Sequence, residues 1–188
     1  MDNLESRFTP PREWCPHPEY WHSPDSEATE EEVSEFIGSV VRLIQPEFVL
    51  ETGTYKGHTT IEINYALNLN GHGRGVSLEA DSLLAHEARI AVMNRFGDSP
   101  RMIVINVNSM EYEPVENIDF AFFDSWQEGR VLEFNRFLEM GRIKEGSIFA
   151  IHDTAPHHQV RKTLSDFGTE VEIIDFHTPR GLILGQVK

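Results

Sequence analysis

Phe48-Val49-Leu50-Glu51-Thr52-Gly53-Thr54-Tyr55-Lys56-Gly57 is a short apolar run that ends in an acid and opens into a turn with two glycines. Pro46 lies just before it and ends whatever helix precedes. Thr59 to Leu69 follows with Ile61, Tyr65 and Leu69 on one helical face. The pattern is strand, tight turn, helix. The glycines let the backbone of the turn approach a ligand closely. They are four apart and position 55 is Tyr, so this is not the G-x-G-x-x-G dinucleotide fingerprint. The Gly-Lys-Ser/Thr ending of a phosphate-binding Walker loop is also missing. An acid ahead of the turn disfavours a pyrophosphate and suits a cationic or amino-bearing ligand. A plain tight turn would look the same in isolation.

The alternation continues outward. Gly75 to Glu79, Arg101 to Asn106, Ile118 to Asp124 and Ser147 to His152 read as further strands. Ser82 to Phe96 (with Leu83, Ala91 and Phe96 inward), Val131 to Met140 and Val160 to Phe167 read as helices. Ile118 to Asp124 has almost no polar interruption, as expected of a strand buried on both faces. Strands alternating with helices predict an α/β fold, a Rossmann-like doubly wound, mostly parallel sheet with helices on both faces. Glu170 to Phe176 and Gly181 to Val187 are close in sequence and are expected to close one end as an antiparallel pair. Upstream, Thr29 and Glu32 form a capping-box pattern, and Val33, Phe36, Ile37, Val40, Val41 and Ile44 recur at helical spacing.

The 188 residues carry a formal charge of −15. At this length one domain is the natural expectation. The negative sign argues against nucleic acid and anionic membrane surfaces as partners. No apolar run approaches a membrane span, and the N-terminus lacks a signal-peptide pattern. The single cysteine, Cys15, cannot form an internal disulfide, which fits a cytoplasmic protein. Residues 1–35 hold ten acids and only two bases, Arg7 and Arg12, and half of all the prolines. Residues 1–28 therefore read as an irregular acidic arm before a single domain at 29–188. Its aromatics Trp14, Tyr20 and Trp21 are expected to drape it over the body, or over another subunit of a homo-oligomer.

In sheets of this class ligands bind beyond the carboxyl ends of the strands. Those ends are Glu51-Thr52-Gly53, Glu79, Asp124-Ser125-Trp126 and His152-Asp153-Thr154. The two oxygens of Glu79 can accept a pair of ribose hydroxyls. Asp124 and Asp153, at the ends of adjacent strands, are hard oxygen ligands that suit Mg²⁺. They could equally cap helices or touch only a cofactor. His152 is the nearest group able to titrate near neutrality, hence a candidate general base; a backbone partner could equally satisfy it. His58 can line the substrate side, whereas His17, His22, His72 and His86 are expected at the surface. The run His152-Asp153-His157-His158 also invites a zinc reading, but lacks a His-x-x-x-His helix or a cysteine pair.

Glu51-x-Gly53-x-Tyr55-x-Gly57, Glu79, Phe122-Phe123-Asp124-Ser125-Trp126 and His152-Asp153-Thr154, in this order, resemble class I S-adenosylmethionine-dependent methyltransferases. They are similar in particular to the small metal-dependent O-methyltransferases of the catechol O-methyltransferase type. The resemblance spans about residues 33–188. It implies S-adenosylmethionine as cofactor, with Glu51, Gly53, Tyr55 and Gly57 around its methionine part and Glu79 on the ribose. It places Ser109, with Met110 beside it, at the adenine edge, and Ser125 and Trp126 on either side of the adenine. Asp124 and Asp153 become divalent metal ligands, with Thr154 where the catechol enzymes usually have Asn. The implied reaction is O-methylation of a small hydroxylated molecule, with Asp124 as a catalytic group; the base would then be His152, the nearest titratable group, or deprotonation would rest on the metal. One departure stands out: in Ser125-Trp126-Gln127-Glu128-Gly129-Arg130, Gln127 occupies the place of the family's basic Lys. Two alternatives remain at this stage. One is a cephalosporin-hydroxylase-like enzyme on the same scaffold; the other is a cofactor-binding module acting on a partner protein.

Overall fold

The computed structural model describes residues 13–188 and the backbone of Asp2–Asn3. Glu5, Arg7, Pro10, Pro11 and Arg12 of the acidic arm lie outside the described residues. The strand–turn–helix unit read from the sequence is β3 (Phe48–Thr52) followed by α2 (His58–Asn70). Two short strands, β1 (Asp2–Asn3) and β2 (His22–Ser23), pair antiparallel ahead of α1 (Glu31–Ile44). The remaining elements are β4 (Arg74–Glu79), α3 (Ser82–Phe96), β5 (Met102–Asn106), β6 (Phe120–Phe123), α4 (Arg130–Glu139), β7 (Ile148–His152), α5 (Val160–Thr163), β8 (Val171–Phe176) and β9 (Leu182–Val187). One seven-stranded sheet runs in the order β5-β4-β3-β6-β7-β9-β8. Strands β5 to β7 are mutually parallel, while β9 runs antiparallel to both β7 and β8. The fold is the expected α/β, doubly wound one, with its antiparallel strands at the C-terminal edge.

Strand alternation divides the core. Phe120 and Phe122 of β6 point with Val49 towards Ile37, Val41, Ile63 and Leu67 of α1 and α2. Ala121 and Phe123 point with Leu50 towards Phe134 and Phe137 of α4. Both faces are thus sealed by helices, which is why β6 tolerates no polar residue. Phe123 lies wholly buried, 6.2 Å from the Phe134 ring and 6.4 Å from that of Phe137. Truncating such a side chain to Ala typically costs about 3–5 kcal/mol.

Several local expectations are corrected. In α2 the buried positions are Thr59, Thr60, Ile63, Asn64, Ala66 and Leu67, while Tyr65 and Leu69 are half exposed. In α3, Ala85, Ala88 and Val92 face the sheet and Leu83 faces solvent. The capping box does not form. Thr29 donates its hydroxyl to Asp124 Oδ2 (2.6 Å), Glu32 accepts from His22, and Glu30 takes the N-cap position without a side-chain cap bond. Tertiary partners outcompete the local ones. The arm, as far as it is described, packs on the body. Trp14 is buried, donates Nε1–H to the Thr178 carbonyl (2.9 Å) and stacks on His177 (3.9 Å). Trp21 packs against the α1 side of the core, and Tyr20 is exposed. No helix among the described residues is long and apolar enough to cross a membrane.

Candidate active site

The parallel strands change winding direction between β3 and β6, and a cavity of about 480 Å³ opens at their carboxyl ends. Its floor is the turn after β3. Gly53 has φ +82°, and a Cβ there would sit 2.3 Å from the Asp124 carbonyl oxygen. Glycine is therefore required for β3 and β6 to end side by side. Tyr55 also lies in the left-handed region (φ 50°). Its backbone N–H donates to Glu79 Oε2 (2.8 Å), and its hydroxyl donates to Asp25 (3.2 Å). Lys56 pairs with the same Asp25 carboxylate (2.8 Å), and its ammonium holds that carboxyl down at about 2 against the opposing effect of burial. In this way the arm is tied to the loop beneath it.

The opposite wall comes from β4, β5 and β6. Glu79 ends β4; its Oε1 accepts from Asp81 N–H (2.9 Å), so each oxygen holds one backbone donor and keeps lone pairs for a ligand. Leu78, Leu84 and Val107 give apolar surface, and Asn108, Ser109, Ser125 and Trp126 complete the rim. The Trp126 indole lies directly over Gly129, where a Cβ would come within 1.9 Å of the ring. Ser109 donates its hydroxyl to Glu133 of α4, which also accepts from Thr52 (2.8 Å). Burial raises the Glu133 carboxyl above its usual range despite those hydroxyls. Glu27, Glu79, Asp124 and Asp153 line the cavity against Arg130 and Arg180, so a cationic ligand is electrostatically favoured.

Gly53, Tyr55, Glu79, Ser109, Asp124, Ser125 and Trp126 thus converge on one cavity, and Asp153 joins them. Glu51, Gly57, Met110, His152 and Thr154 are not part of its wall. Side chains alternate along β3, so Glu51 turns to α2, where it accepts from Thr60 (2.5 Å). Burial pushes its carboxyl up to about 7, with the Ser77 and Thr60 hydroxyls pulling the other way. Gly57 serves as the N-cap of α2.

His152 is wholly buried between two acids, Glu30 Oε2 (2.5 Å from Nε2) and Asp124 Oδ1 (3.0 Å from Nδ1). Burial alone would lower its pKa, but the Asp124 and Glu30 carboxylates hold it at about 10. Both ring nitrogens thus face carboxylates, which favour the charged imidazole, and the ring is not part of the cavity wall. The expected general base is thus held between Glu30 and Asp124, away from the cavity wall. His58 lines the cavity as expected. His158 is buried beside Gln127 (2.8 Å), and burial drops it to about 4. Among the described residues the group close enough to share an ion is Asp124, His152 and Asp153, without His157 or His158.

The expected Mg²⁺ site does not fit its surroundings. Asp153 Oδ1 accepts from Arg180 Nε (2.6 Å), and Oδ2 accepts from Arg130 Nη2 (2.8 Å) and Arg180 Nη2 (3.0 Å). Asp124 Oδ1 faces His152 and Arg130 Nη2, both at 3.0 Å, and Oδ2 accepts from Thr29. The Asp153 carboxyl lies well below the ordinary range: burial opposes this, but Arg130, His152 and Arg180 outweigh it. The Thr154 hydroxyl is the one donor of the expected set without a protein partner, and it lies outside the cavity wall. Glu30, Arg130 and Arg180 escaped the sequence reading. Arg130 stood in the stretch where the family Lys is missing, but nothing local marks Glu30 or Arg180, which meet the site only through the fold.

No family model matches the chain. The fold is similar to a methyltransferase of Podospora anserina solved with bound SAH (TM-score 0.70, 15% identity, 83% of this chain and 78% of that one). It is similar to an O-methyltransferase of Bacillus cereus in complex with SAH (TM-score 0.69, 18% identity, 87% and 84%). Its architecture also matches the O-methyltransferase TomG of Streptomyces achromogenes, in complex with SAM, over nearly its whole length (TM-score 0.66, 15% identity, 99% and 95%), so the chain has the class I methyltransferase fold.

Proposed function

We propose that the protein is an S-adenosylmethionine-dependent methyltransferase that methylates a hydroxyl of a small molecule. The observation that carries this reading is the cavity itself, whose acidic and glycine-shaped lining suits a cationic nucleoside. In this assignment Glu79 takes the ribose hydroxyls with its free lone pairs. Trp126, Leu84 and Val107 enclose the adenine, and the Gly53-Thr54-Tyr55 turn receives the methionine part. S-adenosylmethionine supplies an electrophilic methyl group on a sulfonium. The protein contributes position and electrostatics. Asp124 faces the cavity and holds the Thr29 hydroxyl at 2.6 Å, a distance that fits a substrate hydroxyl equally well. An acceptor oxygen held there would be oriented towards the methyl group; as the C–O bond forms, the methyl C–S bond would break to leave a neutral thioether, and the carboxylate would take the hydroxyl proton. The structural relatives named as O-methyltransferases support oxygen as the acceptor.

The test is calorimetric titration with S-adenosylhomocysteine, followed by incubation with methyl-labelled S-adenosylmethionine and a panel of small phenols and sugars. Binding that Glu79→Ala weakens, and label in a hydroxylated product, are expected. Absence of both overturns the reading. Binding with no transfer to any panel member would instead favour a cofactor-holding module.

A further inference from the structure

The chain carries its own substitute for a divalent cation. Three carboxylates, Glu30, Asp124 and Asp153, are clustered in and just behind the cavity wall with the guanidinium groups of Arg130 and Arg180 and the imidazole of His152. The cluster is largely buried, and Arg130 and Arg180 already set two positive charges against its carboxylates. Asp124, His152 and Asp153 offer ligand atoms within 4.8 Å of one another, so spacing alone would permit an ion. The space and the charge are already taken. Arg130 starts α4, right after the short turn Gln127–Gly129, and its side chain runs back to the ends of β6 and β7. Its Nε and Nη2 donate to the Ser125 carbonyl (3.0 and 2.7 Å), Nη1 donates to the His152 carbonyl, and Nη2 faces both Asp153 Oδ2 and Asp124 Oδ1. It therefore bridges the same two strand ends that a metal would bridge. Arg180, from the turn before β9, covers the other side of Asp153 through both of its oxygens. A planar guanidinium with forked donors matches a pair of carboxylates in a way a point charge does not.

We infer that the Arg130 guanidinium occupies the place of a divalent metal between Asp124 and Asp153, so that the protein works without one, with Arg130 as the positioning residue for Asp124. Admitting Mg²⁺ would require expelling a buried guanidinium or leaving two like charges side by side. The consequence for catalysis rests on the methyl-transfer reading; the exclusion of the cation is a property of the buried cluster alone.

The experiment reads the free-ion electron paramagnetic resonance signal of Mn²⁺ mixed in equimolar amount with the full chain, with and without S-adenosylhomocysteine. The wild type is expected to leave that signal undiminished. Arg130→Gln, checked for folding by circular dichroism, is expected to cause loss of the signal, and adding Asp124→Asn to it is expected to restore the signal. Loss of signal with the wild type that Asp124→Asn abolishes would overturn the inference, and so would a folded Arg130→Gln that takes up no Mn²⁺. If Arg130→Gln does not fold, the wild-type measurement decides alone. Calorimetry with S-adenosylhomocysteine on the same wild-type sample shows separately whether the cofactor assignment stands.

Discussion

At the scale of single residues, the chemistry depends on where each side chain is aimed. Glu51 is the sharpest case. Read in sequence it ends a strand beside a glycine turn and looks like a ligand; in the fold it turns away and is buried against Thr60. Burial pushes its carboxyl up to about 7, above the ordinary glutamate value. The folded state therefore holds this proton more tightly than the unfolded state, and stability is lost as pH rises from the ordinary value through about 7. Glu51→Gln removes that loss. Its stability relative to wild type should rise by up to about 3 kcal/mol between about pH 5 and about pH 8, as read by urea denaturation at each pH. An offset that does not change with pH would rule this out. Gly129 offers a second test. The Trp126 ring lies where a Cβ would go, so Gly129→Ala must swing the indole off the cavity rim. S-adenosylhomocysteine affinity should fall roughly tenfold, about 1.4 kcal/mol, by calorimetry. Trp126 is half exposed, so its displacement should leave the melting temperature nearly unchanged.

At the scale of elements, the start of α1 is the point where the arm and the sheet meet. The acids there suit a helix N-terminus in general. Here Glu30 is drawn instead into the core, accepting from His152, from the Arg180 backbone (3.0 Å) and from Thr178 Oγ1 (3.3 Å). Removing it leaves a charged imidazole and a guanidinium under-compensated. Glu30→Ala should cost about 3–5 kcal/mol of unfolding free energy in urea, more than a lost helix cap, which is about 1 kcal/mol. Thr29→Ala should cost only the smaller amount, since it removes one hydroxyl bond to Asp124. Equal costs for the two would show that the buried contacts of Glu30 to His152 and Arg180 add nothing beyond a single hydrogen bond. The strands behave differently: β6 is uniformly apolar and β3 opens with three apolar residues, and their limits in the fold match the sequence expectation to within two residues. Helix faces were less legible. In α2 and α3 the apolar residues with the right spacing, Tyr65, Leu69 and Leu83, are on the solvent side, and the buried face is instead built around Ile63, Ala66 and Leu67 in α2 and Ala85, Ala88 and Val92 in α3.

At the scale of the whole molecule, the described part of the arm is a structural component of the site rather than a tail. Trp14 links it to the loop between β8 and β9 through Thr178, which in turn touches Glu30. Trp14→Ala should destabilise the chain by about 3 kcal/mol and hasten proteolysis ahead of α1. An unchanged melting temperature would separate the arm from the body. The charge of −15 also gains a spatial meaning. Glu27 and Glu79 line the cavity, and Asp124 and Asp153 line it paired with Arg130 and Arg180. By itself the sequence determined the strand–helix alternation, the sheet class and the cavity-lining strand ends, because periodicity, glycine turns and apolar runs are local and survive without neighbours. Only the tertiary structure decided the carboxylate partners of His152, the orientation of Glu51 and the arginine partners of the metal-like acidic pair. Those depend on Glu30, Arg130 and Arg180, residues distant in the chain whose charges act through a few ångströms of low-dielectric space.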